Sequence, residues 1–226
     1  MRIIVLYEDD SLIAIDKPAG VVVHPTYKNV SGTVLDELQW RSRDWPHGAR
    51  PSLVGRLDKM TSGVVIAAKD AAVHAALQRS WPEAEKDYLA VVHGDVAEQN
   101  GEIDLPLAGD PADRRRRIVS PDGARCVTRF ERLGSSPVSG LSLLRCRLVT
   151  GRTHQIRVHL AARGWPIVGD AVYGDPLVTP AFSRQALHAW RVTLTHPQSG
   201  ERLAIEAPVP SDLRGLLVTS NLPLAQ

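Results

Sequence analysis

The alternation of apolar and polar residues predicts many short strands and few helices. Two apolar runs open the chain, residues 3–7 and 12–15. A polar turn, Glu8-Asp9-Asp10, separates them, and Lys17-Pro18-Ala19-Gly20 ends the second run. Runs of this length around a polar turn predict a β-hairpin.

Further short apolar runs predict the remaining strands, at residues 64–68, 86–93, 126–133, 141–149, 189–194 and 203–206. Helical spacing is confined to residues 34–40, 71–79 and 153–162, with Asp70 and Thr153 as expected N-caps and Gly164 after the last helix. Strands outnumber helices and do not alternate with them regularly. The expected fold class is therefore α+β, with a mixed, mostly antiparallel β-sheet flanked by helices and loops.

Length and composition favour one soluble domain. The chain has 226 residues, of which 43% are hydrophobic, enough to bury a core, so residues 1–226 are expected to form a single domain of two packed lobes. No apolar run approaches the roughly 20 residues of a membrane helix, and acids follow the first apolar run where a signal peptide stays apolar. We expect a cytoplasmic monomer without membrane contact. Cys126 and Cys146 are expected to be reduced core thiols.

Positive charge is concentrated in one part of the chain. Residues 111–163 contain 12 arginines and only three acidic residues, a net charge of +9, whereas the remaining residues carry a net charge of −7. Such a concentration is typical of proteins that bind nucleic acid. The alternative is compositional, because 22 of the 27 basic residues are arginine, an excess that GC-rich coding produces without RNA contact.

The segment from Gly55 to Gly63 sets Asp58 beside an arginine, between a proline-rich loop and a predicted buried strand. A carboxylate on such a junction can act as a nucleophile or a base. The alternative is that Asp58 caps a turn or pairs with Arg56, which is the commoner role of a loop aspartate.

The segment from Val149 to Leu160 starts a helix with small and polar residues. Arg152 and the backbone N–H groups at this start can hold a phosphate, and the alternative is a capped helix with solvated arginines. His154 and His159 are five residues apart, which does not place two metal ligands on one helical face, so we expect no metal site. The sequence also contains no P-loop and no GxGxxG motif for a nucleotide cofactor.

Several segments, in this order, resemble the RluA-type family of RNA pseudouridine synthases. They are YEDDSLIAIDKPAGVVVHP, RLDKMTSG, KDYLAVVHG, VTGRTHQIRVHLAARGWPIVGDAVYG and LHAWRVTLTHP, and together they extend over about residues 6 to 212. The resemblance implies a pseudouridine synthase fold, with the active-site cleft across the sheet, and isomerisation of uridine in structured RNA without a cofactor. The expected substrate is large-subunit ribosomal RNA, with a transfer RNA stem-loop as a second possibility.

Two departures from the family pattern are visible. Gly55 stands where the family usually has histidine before Arg-Leu-Asp. Many relatives also carry an amino-terminal S4 RNA-binding domain, whereas this sequence starts at the catalytic region, so we expect the catalytic domain alone to capture the substrate.

The resemblance also implies roles for individual residues. Asp58 is the catalytic carboxylate, acting on the sugar, the base or a sugar proton, and Arg157 is the basic residue that pairs with it and favours its charged form. On this basis Arg157→Met is expected to remove most activity with little loss of fold. Tyr88 is expected to stack on the target uracil and to remove the C5 proton, and the alternative for Tyr88 is a packed strand residue.

RNA contacts are assigned to a further group of residues. Arg56 is the candidate to fill the gap left by a flipped base, because a guanidinium stacks on bases and binds phosphates. The other expected RNA contacts are Arg114, Arg115, Arg116 and Arg117, as a clamp on the RNA backbone, and Arg152 with His154. A solvated loop is the alternative for the arginine run.

Two other functions remain open from the residues alone. A hydrolase of the same N-glycosidic bond would need a second acid beside Asp58, and none stands out within the motifs. A non-catalytic RNA-binding or ribosome-assembly factor would keep the basic surface. Gly55 favours that second alternative, and the set Asp58, Tyr88 and Arg157 opposes it.

Overall fold

The computed structural model describes residues 3–46, 48–174 and 182–224. The strands are β1 (Ile4–Glu8), β2 (Leu12–Lys17), β3 (Ser52–Leu53), β4 (Ser62–Ala68), β5 (Glu85–His93), β6 (Asn100–Asp104), β7 (Leu107–Gly109), β8 (Arg117–Val119), β9 (Val127–Ser136), β10 (Leu141–Leu148), β11 (Leu187–Thr195) and β12 (Arg202–Glu206). The α-helices are α1 (Val34–Arg41), α2 (Ala71–Ser80), α3 (Gln155–Ala162) and α4 (Ser211–Thr219), and a 3₁₀ turn covers Ser42–Asp44. None of the helices in these residues is long and apolar enough to span a membrane.

The chain divides into two compact units. The first consists of Met1–Glu85 and Ala189–Pro208, and the second of Lys86–His188 and Val209–Gln226.

The first unit contains a sheet whose central strands are buried on both faces. Strand β2 pairs antiparallel with β1 and with β4, β3 pairs with β4, and β12 pairs with β11. Leu12 and Ala14 pack with residues of α2 on one face, whereas Ile13 and Ile15 pack with residues of α1 on the other. Burial on both faces explains why β2 and β4 are continuous apolar runs rather than alternating ones.

The second unit contains the antiparallel strand order β5-β10-β9-β6 and a separate two-stranded sheet, β7 with β8. Leu107 of β7, Cys126 beside β9 and Val158 of α3 form a small apolar cluster, against which Tyr173 packs. This cluster brings the start of α3 close to the β7–β8 hairpin.

The expected α+β class with a mostly antiparallel sheet is confirmed. The Asp70 cap is also confirmed, since its carboxylate accepts the N–H of Val73 at 2.8 Å. The expected Thr153 cap is wrong: the N-cap of α3 is His154, which has a left-handed backbone (φ 60°) and makes no side-chain cap hydrogen bond. Cys126 and Cys146 are free and buried, as expected.

Candidate active site and arginine hairpin

Asp58 lies in the first unit, in the segment of residues 54–61 that connects β3 to β4, hereafter the Asp58 segment. Its side chain is half-buried, and its carbonyl accepts the N–H of Thr61 at 3.1 Å. Thr61 is buried, and β4 begins at the next residue. The carboxylate is therefore attached to a short turn that leads directly into a buried strand.

Lys17, at the end of β2, anchors this segment. The residue is fully buried, and its ammonium donates to the carbonyls of Pro18 (2.9 Å), Val21 (2.8 Å) and Lys59 (3.1 Å). The Lys59 carbonyl also accepts the N–H of Gly20 at 2.8 Å. Sequence reasoning missed this anchor. The available signal was a lysine at the end of a buried apolar strand, because a buried ammonium needs acceptors.

Two glycines shape the same segment. Gly63 has φ 116°, and a Cβ there would lie 2.1 Å from the carbonyl oxygen of Ala189, so no other residue fits. A Cβ at Gly55 would lie 2.9 Å from the Trp81 ring. The indole of Trp81 thus occupies the space in which a histidine side chain at position 55 would begin.

Arg56 is exposed within the Asp58 segment, and its charge reaches His24. Burial, reinforced by the Arg56 guanidinium, lowers the pKa of His24. Lys59 is also exposed, and its ammonium donates to the side-chain oxygen of Asn29 at 3.2 Å. Positive side chains therefore lie on both sides of Asp58 along the chain.

Arg157 lies in the second unit, in α3, where it is 5% exposed. Its Nε and Nη2 donate to the two carboxylate oxygens of Asp170 at 2.6 and 2.8 Å. The Asp170 side chain is fully buried. Burial raises the pKa of Asp170, but the hydrogen bonds and the charge of Arg157 outweigh that effect and lower the pKa.

This pair changes the expected result of Arg157→Met. The substitution would leave the Asp170 carboxylate buried without its guanidinium, and removing one partner of a buried ion pair costs about 3–5 kcal/mol. The expectation of little loss of fold therefore does not hold for that variant.

Tyr173 links the start of α3 to the β7–β8 hairpin. Its ring lies under the guanidinium of Arg157, 5.0 Å from ring centroid to Cζ. Its hydroxyl accepts the N–H of Arg117 at 2.8 Å and lies 2.8 Å from Nδ1 of His154. The guanidinium of Arg116 is also near the ring, at 5.7 Å.

Three of the four consecutive arginines lie in the loop between β7 and β8, and Arg117 is the first residue of β8. Residues 107–119 are hereafter called the arginine hairpin. Arg114, Arg115 and Arg116 are exposed, and Arg117 is half-buried. Asp113 accepts the N–H of Arg115 and pairs with its guanidinium at 2.7 Å, and Arg115 lowers the pKa of Asp113 to about 2. The run is therefore a turn organised by hydrogen bonds rather than an irregular loop.

Most arginines in the basic stretch of residues 111–163 have acidic partners. Several partners lie outside that stretch in sequence: Asp87 with Arg147, Glu98 with Arg163, Glu102 with Arg129, Asp104 with Arg125, Asp110 with Arg116, and Asp170 with Arg157. Among the described residues, Arg114, Arg117, Arg132 and Arg152 form no such ion pair. The net charge of +9 read from the sequence thus overstates the positive surface.

Arg152 is exposed, but its backbone N–H donates to Oε1 of Gln155 at 3.1 Å. The N–H of Gln155 in turn donates to the carbonyl of Arg152. Gln155 is buried and also donates to the carbonyl of Val127 and the hydroxyl of Thr128. Two of the N–H groups expected to hold a phosphate therefore have acceptors within the protein.

Tyr88 lies in β5, opposite Cys146 of β10, and is half-buried. Its neighbour Asp87 is 3% exposed and pairs with Arg147 through two contacts of 2.7 Å. That pair fixes β5 to β10 next to Tyr88.

Among the described residues, no group of three or more His, Cys, Asp or Glu side chains could hold a metal ion.

The structure thus brings the predicted residues together in two local groups. In the first unit, Arg56 and Asp58 share one anchored segment. In the second unit, His154, Arg157 and the arginine hairpin all contact Tyr173. Tyr88 lies in the same unit, in β5 of the sheet β5-β10-β9-β6. Sequence reasoning missed Lys17, Asp170 and Tyr173, although the last two belong to the quoted segment GDAVYG.

Comparison with known proteins adds a family match. A family model described as RNA pseudouridylate synthase matches residues 11–162. Two curated relatives named ribosomal large subunit pseudouridine synthase D are each 43% identical to this chain. The one from Nitrosomonas europaea aligns with 97% of this chain and 66% of its own length. The one from Xanthomonas campestris pv. campestris aligns with 94% and 68%. This chain thus spans about two thirds of the length of these relatives.

One solved structure, human RNA pseudouridylate synthase domain containing 4, has a TM-score of 0.81 to this chain. The alignment covers 99% of this chain and 95% of the human one, at 23% sequence identity. At that identity the similarity establishes the fold.

Proposed function

Because this chain belongs to the RNA pseudouridylate synthase family, we propose that it isomerises uridine to pseudouridine in structured RNA. The family expected from the sequence motifs is thereby confirmed. Residues 11–162, which the family model matches, include Asp58, Tyr88 and Arg157, and this observation carries the proposal. Large-subunit ribosomal RNA is the first candidate substrate, since two relatives bear that substrate in their names. A transfer RNA stem-loop is the second candidate.

The reaction sets the requirements for the site. The bond from uracil N1 to C1′ breaks, the base turns, and a bond from C5 to C1′ forms. The proton on C5 leaves and N1 gains a proton, so the RNA keeps its composition and no electron is transferred to another molecule. The chemistry therefore requires a carboxylate, a group that removes the C5 proton, and a pocket that retains the detached uracil.

We assign the carboxylate to Asp58. Lys17 and Gly63 support this assignment, because Lys17 binds the carbonyl of the residue after Asp58 and Gly63 packs against Ala189 at the start of the strand that follows the turn. Such preorganisation matters, since a displacement of about 1 Å of a reacting group can cost about 10²-fold in rate. Arg157 is proposed as the basic partner that favours the ionised carboxylate.

We assign removal of the C5 proton to Tyr88, whose place in β5 next to the Asp87–Arg147 pair supports a rigid position. Tyr88→Phe keeps an aromatic ring for stacking but removes the hydroxyl. The expected product of this variant is an isomer that forms but retains its C5 proton. Normal release of pseudouridine by Tyr88→Phe would contradict the assignment.

A uridine inside a stem-loop must leave its stack, at a cost of a few kcal/mol, before the site can reach it. Arg56 is proposed to fill the vacated space, and its exposed position beside Asp58 supports that role. The arginine hairpin is proposed to bind the RNA backbone. Arg114 and Arg117 are its best candidates for phosphate contact, because neither forms an ion pair within the described residues.

The test is a map of pseudouridine across total RNA by chemical probing. Cells with the wild-type gene, with a deletion and with Asp58→Ala are compared, and an immunoblot checks that the variant protein accumulates. Loss of the same site in the deletion and in Asp58→Ala supports the enzyme, its carboxylate and its substrate together.

Other outcomes would identify the rival functions. Free uracil and abasic RNA in place of pseudouridine would identify a hydrolase of the N-glycosidic bond. An unchanged pseudouridine map, with RNA retained by the purified protein, would identify a non-catalytic RNA-binding factor.

A further inference from the structure

Asp170 holds Arg157 in one orientation. Besides binding the guanidinium through both oxygens, its Oδ1 accepts the N–H groups of Val172 and Tyr173 at 2.9 and 3.1 Å. Gly174 closes this turn, because a Cβ there would lie 2.4 Å from the carbonyl oxygen of Asp170. The carboxylate is thus fixed by its own turn before it binds Arg157, which leaves the guanidinium little freedom to rotate.

The ion pair also changes what Arg157 can do. A guanidinium paired bidentately with a buried carboxylate forms a nearly neutral unit, so its field at a distance is weaker than that of a lone arginine. Two of its five N–H donors are committed to Asp170. Arg157 therefore acts on a reacting group mainly through the direction of its other N–H bonds, which Asp170 sets.

Tyr173 extends this arrangement to the arginine hairpin. Its hydroxyl accepts the N–H of Arg117 and lies within hydrogen-bond distance, 2.8 Å, of Nδ1 of His154. Burial raises the pKa of Tyr173, so the hydroxyl stays protonated at neutral pH. One side chain thus contacts Arg157 with its ring and joins His154 to the hairpin with its hydroxyl.

We propose that Asp170 and Tyr173 are positioning residues for the isomerisation: Asp170 orients Arg157, and Tyr173 couples Arg157 and His154 to RNA bound on the arginine hairpin. This inference rests on the proposed function of the chain. Neither residue needs to touch the uridine, so their effects should fall on the rate of the bound complex rather than on RNA affinity.

The second unit contains a matched control pair. Arg184 is 3% exposed and binds Asp212 through both carboxylate oxygens, at 2.7 and 3.0 Å. The arginine is buried and the geometry is bidentate, as for Arg157, although the Asp212 side chain is 44% exposed whereas that of Asp170 is fully buried. Neither Arg184 nor Asp212 belongs to the proposed machinery. Asp212→Asn thus reproduces the chemical change of Asp170→Asn without touching Arg157.

The first experiment measures release of tritium from C5 of [5-³H]uridine-labelled large-subunit ribosomal RNA transcripts, in single turnovers at saturating protein. Asp170→Asn is expected to slow the reaction about 10²-fold, with the RNA dissociation constant changed by no more than about twofold. Asp212→Asn is expected to react within about twofold of wild type. Equal rate losses in both variants, or a wild-type rate in Asp170→Asn, would overturn the role of Asp170.

Tyr173→Phe tests the proposal with a second variant, in case Asp170→Asn has a folding defect. The variant retains the ring under Arg157 and loses only the hydroxyl, so we expect about a tenfold slower single turnover. Tyr7→Phe, which removes the hydroxyl that donates to Asp9 at 2.6 Å in the first unit, is the control and should retain the wild-type rate. A Tyr173→Phe rate equal to that of Tyr7→Phe would overturn the coupling.

Wild type and Asp58→Ala are included in each series. If wild-type protein releases no tritium from ribosomal or transfer RNA, the proposed function fails and the inference fails with it. If wild type reacts, Asp58→Ala does not, and the positioning variants react normally, the inference alone is wrong.

Discussion

The imidazole of His159, in α3, lies 2.9 Å from the hydroxyl of Thr128 in β9. Its other nitrogen, Nε2, lies 3.0 Å from the carbonyl oxygen of Leu105, and the residue is fully buried. A carbonyl only accepts, so Nε2 carries the proton and Nδ1 accepts from Thr128. The Thr128 hydroxyl also accepts from Gln155. The hydrogen bonds from Gln155 to Thr128, from Thr128 to His159 and from His159 to the Leu105 carbonyl are therefore all satisfied when His159 is neutral.

The free energy of unfolding is therefore expected to fall as the pH drops below the ordinary histidine pKa of about 6.5. Burial lowers the pKa of His159, and the Leu105 carbonyl and Asp104 oppose that effect only in part. Below about pH 6.5 the unfolded chain binds a proton that the folded protein does not, so stability rises with pH through this window. The measurement is urea unfolding of wild type and His159→Gln at about pH 5 and about pH 7.5.

At the higher pH wild type should have the larger free energy of unfolding. At the lower pH the difference in free energy of unfolding between wild type and His159→Gln should be smaller. The comparison of two proteins at each pH cancels the titration of all other groups. A difference that stays constant would show that His159 is not the titrating group.

Gly55→His, which restores the family residue, is expected to destabilise this protein. The new Cβ would lie 2.9 Å from the ring of Trp81, and that ring packs against the apolar cluster of the first unit. Overpacking of this kind typically costs about 1–3 kcal/mol. Trp81→Leu removes the obstacle, so the double variant should lose less stability than the sum of the single losses, which a double-mutant cycle by urea unfolding measures. Strict additivity would mean that residues 55 and 81 do not compete for space.

Arg157→Met is expected to lower both stability and activity, and a second substitution should separate the two. With Asp170→Leu added, neither partner of this ion pair leaves a buried charge, but the N–H groups of Val172 and Tyr173 lose their acceptor. We therefore expect the double variant to regain part of the stability, about 3–5 kcal/mol, that Arg157→Met loses. Its isomerisation of RNA should stay absent, because the guanidinium is still missing. Thermal unfolding and tritium release measure the two properties, and recovery of activity in the double variant would exclude a direct role for Arg157.

The sequence predicted the elements whose burial leaves a clear pattern. Strands β2 and β4 are buried on both faces, so each is an apolar run, and Asp70 precedes α2 with the ordinary capping geometry. Strand β6 was missed because only Ile103 of its five residues is buried, so the sequence shows no apolar pattern there. Its strand conformation comes from backbone pairing with β9, which is distant in sequence.

The family resemblance nominates Asp58, Tyr88 and Arg157 as reactive residues, and their roles stay predictions. The resemblance does not identify the residues that support them in the structure. The partner of Arg157 is 13 residues further along the chain, and the partners of several arginines lie outside the basic stretch. Ion pairing of this kind depends on the tertiary structure, so the sequence overestimated the positive surface and missed Asp170.

Lys17→Met is expected to loosen the Asp58 segment while β4 stays ordered. Methionine fills similar space without donors, so it removes the ammonium from the carbonyls of Pro18, Val21 and Lys59. The carbonyls of Pro18 and Val21 lose this donor, whereas the Lys59 carbonyl still accepts the N–H of Gly20. A carbonyl left buried without a donor costs about 1–3 kcal/mol. The local measurement is amide hydrogen exchange of Gly20 and Thr61, whose N–H groups donate to the carbonyls of Lys59 and Asp58. Both should exchange faster in Lys17→Met, whereas the amide of Ile66 in β4 should change only as far as global stability falls.

Lys59→Ala is the matched control for this anchor. It removes an exposed ammonium that binds Asn29 but keeps the carbonyl that Lys17 binds, so exchange at Gly20 and Thr61 should stay at the wild-type rate. Tritium release should fall in Lys17→Met because Asp58 is no longer held in one position. If exchange rises equally at Gly20, Thr61 and Ile66, Lys17 stabilises the first unit as a whole, and the Asp58 segment does not depend on it in particular.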